Sequence, residues 1–276
     1  MNPHLEHSIA PLAIFRSFSR NRRLIIEMTK REIKKRYQGS IFGLAWAFIN
    51  PLLMLTAYTF VFSVVFEMRW GASGNGSRID FALLMFTGLI IFGVFSEAMN
   101  GSPGLIIGNV NYVKKVIFPL EILTWVSVGT TLFHTLVNVM ILLIVQFLLK
   151  GFFPFTAFLL PVILFPIVLL SLGISWFLSS LGAYLRDINQ ILVFFTTLLM
   201  FTSAVFFPLS GLPENYQRWL RLNPIALIIE ECRKILVYGQ FPDWFSLGLL
   251  SIVGALVAFL GFWWFQKTRK GFADVL

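Results

Sequence analysis

The amino-acid sequence predicts an all-α polytopic membrane protein. Its expected architecture is six transmembrane helices with both termini in the cytoplasm, an amphipathic N-terminal interface helix and two short outer gate helices. Three observations predict it. Of the 276 residues 57% are hydrophobic and only 13% charged, with a mean hydropathy of +0.80, which is more apolar surface than a soluble domain of this length can hide. The apolar residues gather into six runs, each near or above the ~20 residues that one bilayer crossing needs. Fifteen of the 22 Lys and Arg residues fall in the arm, the inner loops and the C-terminal tail, and that bias marks the cytoplasmic side.

Residues 1–37 read as a cytoplasmic arm and interface helix. The first two dozen residues are polar and basic, without the compact apolar core of a cleavable signal peptide, so the first span is expected to remain as an anchor. Between Asn21 and Tyr37 there is no Gly or Pro. Ile25, Thr29, Ile33 and Tyr37 recur every four residues, while Lys30, Arg31, Lys34 and Lys35 share another side. This predicts a helix on the membrane surface, apolar side toward lipid and basic side toward headgroups; a solvated helix leading into the span is the alternative. Nine Lys and Arg precede the first span and carry most of the net charge of +9, as an orientation signal and a contact with anionic lipid. No aromatic-basic motif accompanies them, so nucleic acid is not an expected partner.

Residues 38–276 read as one six-helix transmembrane domain. The basic block Lys34–Arg36 gives way to an apolar first span, Ile41–Phe66, which Asn50-Pro51 kinks near its middle. Aromatic residues stand along it in steps of four, at Phe42 and Trp46 and then at Tyr58, Phe62 and Phe66. A short polar outer turn, Met68–Ile79, precedes the second span, Phe81–Met99, with Glu97 near its inner end. Asn100–Pro119 is too polar and Gly-rich to cross; it has room for one short cytoplasmic helix within residues 104–118, centred on Ile106–Ile117 and marked as cytoplasmic by Lys114 and Lys115. The third span, Leu120–Leu149, carries Glu121 at its start and His134 and Asn138 four apart on one face. These two polar side chains are candidates for function or for hydrogen bonds between helices. The fourth span, Phe155–Leu185, holds Ser171, Gly173, Ser175, Ser179 and Ser180, small residues that allow close helix contact. Arg186-Asp187 marks a tight inner turn before the aromatic fifth span, Ile188–Phe207.

Pro208–Asp243 reads as the one long outer segment, with the two outer gate helices within residues 213–238. Pro213–Leu222 can make a short helix holding Trp219. Asn223-Pro224 then supplies an N-cap and a proline at the first helical position, and Ile225–Tyr238 continues as a helix that Gly239 ends. Glu230 shares a face with Arg233 and Lys234. The last span runs from Trp244 to Phe265, followed by Lys267, Arg269 and Lys270.

The chemistry that is missing narrows the function. There is no GxxxxGK[ST] phosphate loop, no Ser/His/Asp order of a hydrolase and no membrane cluster of Asp, Glu and Arg for a proton relay. Three His (His4, His7 and His134) and one Cys leave no set with metal-ligand spacing, and Cys232 alone excludes an intrachain disulfide. The chain is therefore not expected to be an enzyme by itself, and energy for transport has to come from a partner subunit near Lys114 and Lys115.

The runs RYQGSIFGLAWAFINPLLML, FTGLIIFGVFSEAMNGSPGLIIGNVNYVKKVIFPLEIL and LNPIALIIEECRKIL resemble the transmembrane permease subunit of type-2 ABC exporters, in the branch that exports polysaccharides (O-antigen, capsule and teichoic acid). The resemblance covers nearly the whole chain, and VKKVIFPLEIL is its most specific part. It implies a homodimer paired with two copies of a separate ATPase chain, which would hold the ATP and Mg, in the bacterial inner membrane. No cofactor would be bound by this chain. It further implies a polysaccharide on a polyprenyl lipid carrier as cargo, a coupling helix with Asn111, Tyr112, Lys114 and Lys115 against the ATPase, and an outer gate with Trp219, Glu230 and Arg233. The first and fifth spans would line the path. Aromatic rings pack on the apolar faces of sugar rings, which makes Trp46, Tyr58, Phe62, Phe66, Phe201 and Phe206 the candidate path residues; the alternative is that such rings face lipid and fill gaps between helices. An exporter of the same fold that moves a small lipid or drug is the second reading.

Overall fold

The computed structural model describes residues 11–65, 77–114, 118–185 and 187–275. Phe66, Lys115, Arg186, the two N-terminal histidines and most of the first outer turn lie outside the described residues. The described residues are helical with no strand: α1 (Pro11–Tyr37), α2 (Trp46–Tyr58), α3 (Arg78–Gly101), α4 (Gly104–Ile107), α5 (Val110–Lys114), α6 (Ile122–Lys150), α7 (Leu160–Tyr184), α8 (Ile188–Thr202), α9 (Glu214–Leu220), α10 (Pro224–Arg233), α11 (Trp244–Thr268) and α12 (Phe272–Val275). A single 3-10 turn leads into α2, and a π-helical stretch, Thr59–Val65, continues it.

Five helical stretches are long and apolar enough to cross a membrane: Gly43–Phe62, Arg78–Gly101, Ile122–Lys150, Phe155–Tyr184 and Trp244–Val275. This is a multi-pass membrane protein. α8 differs from expectation. It has 15 residues, about 22 Å at 1.5 Å per residue, and stops at Thr202 instead of running on to Phe207. The chain then turns inward through Ala204, at φ 54°, and buries Ala204 and Val205 completely. Two side chains fix this ending. The Asn223 carboxamide donates to the Thr202 carbonyl (3.2 Å) and to Ser203 Oγ (2.9 Å), and Arg233 takes the Val205 carbonyl (2.8 Å). Hydropathy extends the span over Phe206 and Phe207; the polar groups of α10 end it earlier.

The centre of the bundle is α3, which packs on α6, α7, α8 and α10, and nearly every residue from Phe81 to Val94 is buried. α7 and α11 form the closest pair. A Cβ on Gly261 would run into the carbonyl of Gly173, so both positions need glycine for the backbones to meet. Ser180 Oγ and Thr268 Oγ1, 2.6 Å apart, tie together the C-terminal ends of the same pair.

α1 is amphipathic as expected, yet its apolar stripe packs on protein. Ile25 is buried against Ile122 and Val126 of α6, the Thr29 side chain fills the notch at Gly129, Phe18 meets Trp125 at 4.7 Å, and Tyr37 reaches His134. Periodicity in the sequence identifies an apolar face without saying what covers it; here α6 covers it. The basic side chains Arg16, Arg20, Arg23, Lys30 and Lys34 stay exposed.

Candidate functional site: an aromatic ladder, a polar cleft and a Glu121 hub

Four of the candidate path residues come together. Tyr58 and Phe62, one turn apart, have ring centroids 6.3 Å apart. Phe62 stacks on Phe206 (5.2 Å, 26°), and Phe206 meets Phe201 at 5.5 Å. The ladder joins the end of the first span to the end of α8, and Phe81 supports it behind Phe62, at 6.4 Å. Phe206 is buried while Phe201 is exposed, so one end of the ladder opens at the protomer surface. Trp46 stands apart, paired edge-on with Phe42 at 5.6 Å.

Below the ladder lies a polar cleft of about 370 Å³ lined by Arg36, Trp46, Asn50, Glu97, His134 and Asn138 among others. The Arg36 guanidinium pairs with Glu97 across 2.5 Å, two charges brought together by the C-terminal ends of α1 and α3. Tyr37 Oη lies 3.3 Å from His134 Nδ1, so His134 does make a contact between helices. Burial holds the Tyr37 hydroxyl above its ordinary pKa, with Arg36 lowering it and Glu97 raising it, and it stays a neutral hydroxyl.

The predicted single coupling helix is two short ones. α4 and α5 are divided at Gly108-Asn109, where the Asn109 side chain donates to the Leu105 carbonyl at 2.8 Å. Asn111 and Lys114 are exposed, and Tyr112 lies flat on Phe118 (4.4 Å, 12°). Directly behind Phe118 stands a hub that the sequence did not reveal. Arg269 donates to Glu121 Oε2 (2.6 Å) and to the Phe118 carbonyl (2.9 Å). Ser17 donates to Glu121 Oε1 (3.2 Å) and the Trp176 indole to the Glu121 carbonyl (3.1 Å). One acidic residue thus binds α1, α7 and the end of α11 to the start of α6. The available signal was the lone Glu121 facing a basic C-terminal run at the same depth.

On α10, Arg233 is fully buried. Its fork donates to the carbonyls of Leu84 (3.0 Å) and Val205 (2.8 Å) and to Glu230 (2.9 Å), bracing α10 against α3. Lys234, expected near Glu230, pairs with Glu231 at 2.7 Å. Trp219 projects from α9, 75% exposed and away from both. Of the three gate candidates the structure brings together only Glu230 and Arg233. Among the described residues no group of three His, Cys, Asp or Glu side chains converges as metal ligands.

The chain matches the family described as ABC-2 type transporter over residues 23–237. It is 28% identical over 270 residues to the O-antigen export system permease protein RfbA of Myxococcus xanthus, covering 95% of this chain and 99% of that one. A relative of the same description from Klebsiella pneumoniae is 25% identical over 255 residues, with 92% and 95% covered. The polysialic acid transport protein KpsM of Escherichia coli is 26% identical over 235 residues, with 84% and 88% covered. With well over half of its length matched by the family, this chain belongs to the ABC-2 type transporters.

Proposed function

We propose that this chain is the permease subunit of an ATP-driven exporter that moves a polysaccharide, carried on a polyprenyl lipid, from the cytoplasm across the bacterial inner membrane. The observation that carries this reading is the ladder Tyr58–Phe62–Phe206–Phe201. It offers ring faces in series, a surface suited to successive sugar rings, in a chain similar along nearly all its length to O-antigen and polysialic acid transport proteins. The chain works with a separate ATPase subunit, to which α4 and α5 present Asn111, Tyr112, Lys114 and, beyond the described residues, Lys115. Two copies of each subunit make the exporter, the ladder of each permease facing the shared path. Six crossings, with α8 as a short fifth one, leave both termini in the cytoplasm. α9 and α10 close the outer end.

Rocking at the ATPase has a route inward. A push on Tyr112 passes through Phe118 to Arg269 and Glu121, and from there to α1, α7 and α11 as one body. Deleting the gene in its host tests the reading. Finished lipid-linked polymer accumulating on the cytoplasmic side is the expected result; an unchanged surface glycan with no trapped intermediate would shift the function to export of a small lipid or drug.

A further inference from the structure

We infer that the inner cleft between α2, α3 and α6 is a glycan subsite, which takes one neutral, hydroxyl-rich sugar ring before the chain enters the aromatic ladder. This rests on the export reading and adds to it a place and a set of recognition groups. Among the described residues the exposed Asn50 and the half-buried Asn138 line the cleft, and beside them His134 Nε2 is buried with no hydrogen-bond partner. A buried ring nitrogen that finds no protein partner costs free energy until something polar meets it, and the two amides beside it are open to the same ligand. The Trp46 ring lines the same cleft and supplies an apolar face. Two amides and a flat aromatic surface are the groups that vicinal hydroxyls and the C–H face of a pyranose need. The volume of about 370 Å³ falls within the range of small-ligand sites, roughly 300–1,000 Å³.

Charge selects the ligand class. The cleft's cation, Arg36, is offset by Glu97 at 2.5 Å, so the site is near neutral and suits an uncharged ring better than a diphosphate. Its position selects the role. Asn50, Pro51 and Asn138 also line a second cleft of about 280 Å³ that continues to Met54 and Tyr58. Tyr58 begins the ladder. On the cytoplasmic side Arg36 and Glu97 are shared with a third cleft that reaches Leu105, Gly108 and Asn109 beside α4. A series of clefts sharing lining residues therefore runs from beside α4 past the two amides to the first ladder ring, polar up to the amides and mostly apolar beyond them, and the amides sit where a sugar would be read before commitment to the path.

Native Cys232 is buried, so an introduced thiol can be followed over a low background. In the reconstituted exporter with its ATPase, Asn138→Cys is labelled by a small water-soluble maleimide, with oligosaccharides cut from the host's own surface glycan as the protecting probe and inorganic pyrophosphate as the comparison. The expected result is labelling that the oligosaccharide slows at least fivefold and pyrophosphate does not. No labelling, labelling that neither probe slows, or protection by pyrophosphate equal to that by the oligosaccharide would each overturn the subsite. Asn50→Cys, on the more exposed helix, carries the same measurement if Asn138→Cys is not recovered folded. Adding Asn138→Leu to Asn50→Cys should weaken oligosaccharide protection about tenfold, the effect of one lost hydrogen bond in a polar site; undiminished protection contradicts the role of Asn138. Failure of protection in a host where gene deletion traps the glycan removes the subsite alone. A deletion that leaves the surface glycan unchanged removes the export reading beneath it.

Discussion

Arg269 holds Glu121 across 2.6 Å while its second amino group takes the Phe118 carbonyl. The turn that follows α11 is thus fastened to the residues that lead into α6. Both side chains are nearly buried, 14% and 12% exposed. Removing one partner leaves the other as an uncompensated buried charge, which costs about 3–5 kcal/mol. Glu121→Ala should lower the midpoint of thermal unfolding in detergent and reduce the folded yield. The exchange Glu121→Arg with Arg269→Glu should recover part of the loss, and a double exchange no better than the single change would refute pairwise coupling.

The same reasoning separates bracing from gating at Arg233. Its guanidinium satisfies the Leu84 and Val205 carbonyls and Glu230 together. Arg233→Lys keeps the charge but loses the fork, and a loss of about 2–3 kcal/mol in stability is expected from the carbonyls left unpaired. Folded yield and midpoint should fall before transport per folded molecule does. Full stability with altered transport would identify Arg233 as a moving gate element instead.

Phe62 sits at the junction of the ladder, touching Tyr58, Phe81 and Phe206. Phe62→Leu keeps most of the apolar volume and removes the ring. Export of long chains should fall several-fold, the loss of about 1 kcal/mol of ring contact, with assembly unchanged. Equal losses of export and of folded protein would mean that the ladder only packs.

Exchange of charge at the coupling segment should divide two activities. Lys114 is exposed at the end of α5, so Lys114→Glu with Lys115→Glu should leave insertion intact. ATP hydrolysis in the complex should then run without export. Normal export by the double variant would remove the segment from the coupling contact.

Much of the architecture was legible because lipid leaves a backbone few options: apolar runs of sufficient length became helices with bounds close to those expected. The caps that bound α10 and the turn after it were legible for a local reason. Asn223 accepts from the Ile225 amide at 3.0 Å and Gly239 ends the following helix at φ 67°, contacts that depend on neighbours in sequence. What escaped depends on distant partners. The stripe Ile25–Thr29–Tyr37 announces a face, and only packing reveals that α6 covers it. The end of α8 hides in a phenylalanine-rich run, because the groups that stop it, Asn223 and Arg233, come later in the chain. Of the candidate path residues, Tyr58 and Phe62 are related by helical spacing, whereas the stacking of Phe62 on Phe206 joins two ends of the bundle and leaves no trace in either local pattern.

The most direct measurement reconstitutes this chain with its ATPase in liposomes and offers the lipid-linked glycan of the host on the face where ATP is added. Movement of the sugar chain into the lumen, seen as ATP-dependent protection from an added glycosidase, is the predicted result. A glycan that stays accessible while a short-chain fluorescent lipid is moved in its place would contradict polysaccharide export.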